Sequence, residues 1–219
     1  MNIKNSKKRS SSKKRSSSNK IKKNIGKLCK KNKDINDIYL LGKHYISATN
    51  EIYESSDNPN ILIKKIQKPK VEISEIDDFN KENIKKEFEI AKICSDIKLS
   101  PHVYYTTLCS DDNNFIGYIV MDKIQGKIIN SKEELDYYFD NIYDILNILL
   151  ISGIRYNDYN INNFIIENIT DNVYIIDFED ATKVTMYESI NGLSLHYSKM
   201  QIKNMLLTSI YTNQDYRII

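Results

Sequence analysis

The order of apolar patterns along the chain constrains its fold more than any other feature of the sequence. Five short runs rich in Ile, Tyr and Val are bounded by clusters of Asp, Asn, Ser, Pro and Gly, a pattern typical of β-strands. Between the third and fourth runs, Ile84, Phe88 and Ala91 recur at helical spacing, which predicts a helix over 79–97. The predicted strands are 38–41, 51–53, 61–66, 102–106 and 115–121.

The second half predicts a capped helix followed by a hairpin. Residues 131–134 read Ser-Lys-Glu-Glu, a capping box, and an apolar stripe continues from there until Gly153 ends the helix. Two short strands at 164–167 and 173–177 flank a polar turn. One amphipathic stretch, 199–211, remains after them. The whole pattern predicts an α+β chain with its sheet in the first half.

The basic residues are concentrated at the N-terminus. Residues 1–33 hold 14 of the 32 Lys and Arg and no Asp or Glu, so the rest carries 18 basic and 29 acidic groups, a net charge of −11. Residues 7–18 read KKRSSSKKRSSS, with little apolar surface to bury. We expect a disordered basic arm at 1–33, suited to nucleic acid or an acidic partner, to nuclear import or to Ser phosphorylation, or serving as a solubilising tail.

Cysteine usage and hydropathy indicate a cellular compartment. Cys29, Cys94 and Cys109 form no C-x-x-C pair and are odd in number, which favours free thiols in a reducing environment. The most apolar stretch, 145–154, is too short to cross a bilayer. We therefore expect an intracellular protein, cytoplasmic or nuclear, that is neither secreted nor membrane-bound. The 37 Ile, 28 Lys and 25 Asn are typical of an A+T-rich genome.

One set of polar residues fits phosphoryl transfer. Asp158 and Asn163 lie five residues apart on a loop, and Asp177 follows 14 residues later at the end of the predicted hairpin. Such chemistry needs a carboxylate to accept a hydroxyl proton and oxygen ligands to hold Mg²⁺ against phosphates. Two other Asp-x4-Asn pairs, at 78/83 and 136/141, lie in helical patterns, where a solvated face explains them. A polar loop between buried elements is the alternative interpretation of this third pair.

These residues resemble the protein-kinase-like superfamily, with the loop Tyr156-Asn157-Asp158 to Asn163 and the turn Asp177-Phe-Glu. The Asn before the catalytic position and the Ile-Asp-Phe-Glu turn are similar to the choline-kinase and aminoglycoside-phosphotransferase branch. The resemblance implies that Asp158 is the catalytic base and that Asn163 and Asp177 are Mg²⁺ ligands. It implies ATP and Mg²⁺ as cofactors.

The first half agrees with this resemblance at an ion pair. Residues 61–64 read Ile-Leu-Ile-Lys, like the kinase strand whose Lys holds the α- and β-phosphates of ATP, which implies that role for Lys64. Glu87 lies on the shoulder of the apolar face of the following helix, whereas Glu89 is turned about 200° away from it. Glu87 is therefore the predicted partner of Lys64, with ordinary surface charges as the alternative.

Two further segments resemble nucleotide-binding elements. The strand ending at Met121 and the following residues resemble the kinase hinge, which implies that the backbone at Met121 and Lys123 contacts adenine. Residues 42–53 resemble the phosphate-covering loop, and the small residues from Ser47 are similar to those of choline-type kinases. This loop keeps one glycine where protein kinases have three, so fewer backbone N–H groups approach phosphate.

The resemblance covers about 37–181 and implies a two-lobed, α+β kinase-like fold. The expected organisation is the basic arm (1–33), an antiparallel-sheet N-lobe (34–125) and a reduced, mainly helical C-lobe (126–219), similar in size to RIO or KEOPS-type kinases. The implied function is transfer of the γ-phosphoryl of Mg-ATP to a hydroxyl, such as Ser or Thr of a protein. The alternative is an inactive pseudokinase scaffold that its basic arm tethers to nucleic acid or an acidic partner.

Overall fold

The computed structural model describes residues 22, 25, 50–55, 58–71, 73–185 and 198–212, and the backbone of 44–46. The predicted strand 38–41 and most of the basic arm lie outside these residues. The chain is α+β and divides into two compact units. The first unit comprises 1–88 and 102–123, and the second comprises 89–101 and 124–219.

The first unit contains a five-stranded antiparallel sheet with the order β1-β2-β3-β5-β4. Four of the predicted strands are present, and each is longer than its apolar run because ladder hydrogen bonds extend into the flanking polar residues. A short strand over 44–46, which the sequence does not predict, forms one edge. The strands are β1 (His44–Ile46), β2 (Asn50–Ser55), β3 (Asn58–Pro69), β4 (Val103–Ser110) and β5 (Asn114–Asp122).

The helix between β3 and β4 is α1 (Ser74–Asp96), which begins five residues before its predicted start. Its first turn carries the carboxylates of Glu75 and Asp77, which interact favourably with the helix dipole. Those polar residues have no apolar periodicity, so the pattern alone places the helix start too late. The helix ends in a turn at Lys98, which has a left-handed φ of 63°.

Helix α1 packs on the sheet at Gly117 of β5. A Cβ atom added there would lie 2.5 Å from Cγ2 of Ile84 and 2.9 Å from Cζ of Phe88. Gly117 pairs with Ile66, which lies two residues along β3 from Lys64. Alternate residues of a strand share a face, so the side chain of Lys64 lies on the same face of the sheet as α1. The missing side chain lets the helix approach closely and brings Glu87 to the strand that carries Lys64.

The other face of β3, which carries Ile61 and Ile63, packs in an apolar cluster that includes Ile25. Ile25 is fully buried among Tyr53, Ile61, Ile63 and three further residues of the first unit. The Lys22 ammonium lies 4.8 Å from the Tyr105 ring centroid. Although the sequence of 1–33 predicts little apolar surface to bury, Ile25 is one side chain of this segment that the structure buries. A single Ile within a run of Lys and Asn gives no periodic signal, although its burial removes a full side chain from water.

The second unit combines helices with two small antiparallel ladders. Strands β6 (Gly126–Ile128), β8 (Phe164–Glu167) and β9 (Val173–Ile175) form one ladder, and β8 with β9 is the predicted hairpin. Strands β7 (Ile154–Arg155) and β10 (Thr182–Lys183) form the other. The predicted helices are present as α2 (Lys132–Ile151) and α3 (Lys199–Thr212).

The capping box of α2 forms with a shift of one residue. The backbone N–H of Glu134 donates to Ser131 Oγ at 3.1 Å, as predicted. The Glu134 carboxylate accepts from the backbone N–H of Asn130 at 3.1 Å, one residue before the N-cap. Gly153, with φ of 81°, follows the end of the helix.

Of the two cysteines that the structure describes, one matches the predicted free thiol and the other does not. Cys94 is a buried free thiol, and burial raises its pKa to about 12, so it stays protonated and unreactive. Cys109 is disulfide-bonded, and the expectation of a free thiol there is wrong.

Across the part of the chain that the structure describes, none of the helices has the length and apolar content needed to cross a bilayer.

Candidate functional site

A buried ion pair joins β3 to α1 in the first unit. Lys64 Nζ lies 2.7 Å from Oε1 of Glu87, and the two residues are 5% and 2% exposed. The contact that the helical spacing predicts is therefore present. Separating the two groups would leave each charge buried and uncompensated, which is energetically costly. The ion pair therefore keeps both side chains in contact. Contact of Lys64 with phosphate stays a prediction.

Neighbouring Lys65 provides an internal comparison. It is equally buried at 4% exposed, and its ammonium lies 3.0 Å from Oε2 of Glu51 on β2. Successive residues of a strand point to opposite faces, so Lys64 and Lys65 hold their charges on opposite sides of the sheet. Of these two lysines, Lys64 is the one on the face that α1 covers.

The residues predicted to contact adenine lie at the end of β5, where two backbone donors are already used. The N–H of Asp122 donates to the carbonyl of His102 at 2.9 Å, and that of Lys123 donates to the carbonyl of Asn60 at 2.8 Å. The Lys123 ammonium forms an ion pair with Glu54. Met121 pairs with Leu62 of β3. Ser47 lies outside the described residues.

In the second unit, Asp158 and Asn163 are in direct contact. Asn163 Nδ2 donates a hydrogen bond of 2.7 Å to Oδ2 of Asp158. Asn163 is buried at 8% exposed and ends a 3₁₀ turn over Ile161–Asn163 that Asn160 caps. Because the amide nitrogen is used on Asp158, the amide oxygen is the atom of Asn163 that suits a metal ion.

Asp177 is held next to this pair by a backbone contact. The N–H of Ile176 donates to the carbonyl of Asn163 at 2.8 Å, directly before Asp177. Asp177 has φ of 62°, a left-handed conformation that Asp tolerates better than most residues. Its Oδ1 accepts from the N–H of Glu179 at 3.4 Å. The structure thus brings together the three residues that the sequence selects here.

Two residues that the sequence did not select as site residues join the loop to the turn. The Tyr156 hydroxyl donates to the carbonyl of Ile176 at 3.0 Å. Asn157 Nδ2 donates to the carbonyl of Asp180 at 2.7 Å. Tyr156 and Asn157 directly precede Asp158 in the selected motif, and that adjacency is the only sequence signal that could have found them.

The electrostatics of the loop favour a more basic Asp158. Burial raises the pKa of Asp158 above its ordinary value, and the charges of Asp177 and Asp180 raise it further, whereas the hydrogen bond from Asn163 lowers it. Burial likewise raises the pKa of Tyr156 well above its usual range, so its hydroxyl remains a donor. A carboxylate that binds a proton more readily suits the role of a base.

The donor set here fits a hard cation only in part. In the described ranges, no group of three or more His, Cys, Asp or Glu side chains is arranged to hold a metal ion. Asp177 with the amide oxygen of Asn163 supplies one carboxylate and one neutral oxygen. Mg²⁺ bound with nucleotides takes one or two carboxylates and completes its shell with phosphates and water, so these two residues suit Mg²⁺ that arrives with ATP.

Comparisons with known proteins place no family name on the chain. No family profile matches the sequence, and no curated protein matches it. Structures similar to it include a crystal structure of WbdD (TM-score 0.49, 11% identity, covering 80% of this chain and 46% of that one). Another is WbdD with the kinase inhibitor LY294002 (TM-score 0.46, 12% identity, 79% and 45%). A third is the bifunctional kinase-methyltransferase WbdD (TM-score 0.45, 12% identity, 76% and 43%).

This chain spans less than half of the length of those structures.

Proposed function

We propose that this protein is a kinase-like phosphotransferase that binds Mg-ATP and transfers the γ-phosphoryl group to a hydroxyl, such as that of Ser or Thr in a protein. The observation that carries the proposal is the Asp158–Asn163 hydrogen bond of 2.7 Å beside the backbone contact that precedes Asp177. This arrangement supports the proposal because Asp158 would accept a hydroxyl proton while the side-chain oxygens of Asn163 and Asp177 would hold Mg²⁺.

In this mechanism Asp158 orients the acceptor hydroxyl and takes its proton as the oxygen attacks the γ-phosphorus. The bond from that phosphorus to the bridging oxygen breaks, and ADP leaves with the bonding electron pair. Asn163 and Asp177 would hold Mg²⁺, which neutralises phosphate charge when bound.

Paired substitutions separate binding from chemistry. Asp177→Asn should weaken Mg²⁺-dependent ATP binding and abolish transfer, because an amide lacks the charge of a hard-cation ligand. Asp158→Asn should leave Mg-ATP affinity nearly unchanged and lower turnover by about a hundredfold or more. Asp171→Asn is the matched control, since Asp171 also has a left-handed φ, of 55°, but lies in the β8–β9 turn. Calorimetry with Mg-ATP and transfer of labelled phosphate measure the two effects.

The two buried lysines test the proposed phosphate contact. Lys64→Met with Glu87→Gln replaces one ion pair by a neutral pair of similar volume, a change that is often tolerated in stability. We expect Mg-ATP affinity to fall roughly tenfold or more, because a charge-assisted contact is lost. Lys65→Met with Glu51→Gln is the control and should leave affinity within about twofold. Equal affinities in both double variants would contradict the role of Lys64.

The rival candidate is a pseudokinase scaffold tethered by its basic arm. It is favoured by the backbone N–H of Lys123, which donates to Asn60 and is not free for adenine. Wild-type protein that binds no nucleotide at millimolar Mg-ATP would contradict the kinase proposal. Salt-sensitive binding of nucleic acid that depends on the arm would then support the scaffold. Wild type that binds Mg-ATP but transfers no labelled phosphate would support a nucleotide-binding pseudokinase.

A further inference from the structure

Helix α3 is firmly attached to α2 in the second unit. Apolar residues one turn apart on α3 are buried, and two lysines of α3 pair with aspartates of α2. Lys199 and Lys203 also lie over the Phe139 ring, 5.7 and 5.2 Å from its centroid. The contacts are buried Ile202, Leu206 and Ile210, and ion pairs Lys199–Asp140 and Lys203–Asp136, each 2.7 Å between Nζ and Oδ1.

One polar side chain connects this attached helix to the loop that carries Asp158. Ser209 Oγ accepts a hydrogen bond of 2.9 Å from the backbone N–H of Ile161. The same hydroxyl donates to the carbonyl of Leu206 at 2.7 Å, one turn earlier on α3. Because the hydroxyl proton is engaged by the helix, the oxygen lone pairs remain directed away from that carbonyl and accept from Ile161.

Ile161 begins the 3₁₀ turn, where backbone donors have no partner within the turn itself. Asn160 serves the next two donors: its side chain accepts from Asn162 at 3.0 Å, and its carbonyl accepts from Asn163 at 3.0 Å. Ser209 Oγ accepts from the first donor, the N–H of Ile161. Of these three bonds, only the one that Ser209 Oγ accepts from Ile161 involves a distant part of the chain, 48 residues away.

We propose that Ser209 is a positioning residue for the Asp158–Asn163 pair. It fixes the start of the 3₁₀ turn whose last residue, Asn163, holds the Asp158 carboxylate. Helix α3, attached to α2, supplies the rigid support for this contact. The catalytic consequence rests on the proposed phosphotransferase function, whereas the structural coupling does not. A small displacement of a proton acceptor lowers a reaction rate steeply, because the reacting groups must be aligned.

Three substitutions on α3 test the proposal. Ser209→Ala removes the acceptor, and Ser209→Thr keeps a hydroxyl that is able to bond to the helix carbonyl one turn back. Thr208→Ala is the matched control, because Thr208 Oγ1 makes a similar bond, 2.8 Å to the carbonyl of Asn204, and lies at an exposed position of the same helix. Two measurements need no catalysis: amide exchange at Ile161, and the side-chain amide resonances of Asn163. Turnover and the KM for Mg-ATP complete the set.

In Ser209→Ala we expect exchange at Ile161 to accelerate roughly five- to tenfold, as the loss of one hydrogen bond implies. We also expect the Asn163 side-chain resonances to shift, and kcat to fall by on the order of tenfold while KM for Mg-ATP changes less than about twofold. Ser209→Thr should restore values close to wild type, and Thr208→Ala should match wild type throughout.

Asn163 resonances that respond equally to Ser209→Ala and Thr208→Ala would overturn the proposal, whatever the activity. A parallel loss of Mg-ATP binding and turnover would also overturn it, because that result indicates general disruption. If wild type transfers no phosphate but the Asn163 resonances respond to Ser209→Ala alone, the positioning role is supported and the proposed function fails.

Discussion

The hydroxyl of Tyr156 donates a 3.0 Å hydrogen bond to the backbone carbonyl of Ile176, which ties the start of the Asp158 loop to the residue before Asp177. The ring is buried and meets Phe164 and Phe178 edge-on, each with a centroid separation of 6.2 Å. A phenol here combines a large buried apolar surface with one directed donor.

Tyr156→Phe should keep the ring packing and remove the donor. We expect a loss of about 1–2 kcal/mol in the free energy of unfolding, because the half-buried carbonyl of Ile176 loses the hydrogen bond that Tyr156 donates. Denaturant unfolding measures this loss. Tyr137→Phe is the control, since Tyr137 is 75% exposed and removal of its hydroxyl should change the free energy of unfolding little. A Tyr156→Phe protein as stable as wild type would show that the hydrogen bond contributes nothing to the loop.

Gly117→Ala should disturb the contact between α1 and the sheet. The added methyl group would lie 2.5 Å from Cγ2 of Ile84, so the helix that carries Glu87 must shift. We expect a destabilisation of about 1–3 kcal/mol, the usual cost of overpacking. Combining it with Ile84→Ala makes room for the methyl, and the double variant should lose less stability than the sum of the two single variants. Additive losses would contradict a steric cause.

Glu134 should make stability depend on pH in the acid range. Its hydrogen bond with Lys127 lowers the pKa of Glu134, and the bond from Asn130 lowers it further. A carboxyl whose pKa is lowered by folding adds stability that is fully present above its unfolded pKa, about 4.3. That stability is lost as the pH falls through the folded pKa.

Glu134→Gln keeps an acceptor for Asn130 and does not titrate. Thermal unfolding between pH 3 and 6 should therefore vary less with pH in this variant than in wild type. Glu133→Gln, in the same first turn, is the control. Identical pH profiles for wild type and Glu134→Gln would contradict the assignment.

Two truncations of the basic arm test the burial of Ile25. Removing 1–21 leaves Ile25 in place and should change the unfolding midpoint little. Removing 1–33 deletes a fully buried side chain from the core of the first unit and should cost roughly 2–5 kcal/mol, as large-to-small core substitutions do. Chemical denaturation of both proteins, and of Ile25→Ala in the full chain, measures the difference. Equal stability of the two truncated proteins would show that Ile25 contributes nothing.

Much of the architecture follows from local sequence. Strands β2 to β5, the β8–β9 hairpin and the three helices arise from apolar periodicity and turn residues, which act over neighbouring positions. The start of α2 follows from the hydrogen bond between Ser131 and Glu134, three residues apart. The Lys64–Glu87 contact could also be predicted, because the helical period selects Glu87 over Glu89.

Tertiary structure decided what depends on contacts between distant residues. The burial of Ile25, the bond from Ile161 to Ser209 and the use of the Lys123 N–H by Asn60 join positions that no local pattern relates. Hydrogen bonds need distances near 3 Å and aligned donors, a precision that only the packed chain provides. The sequence by itself therefore determines which residues could act together, while packing determines whether their polar atoms meet.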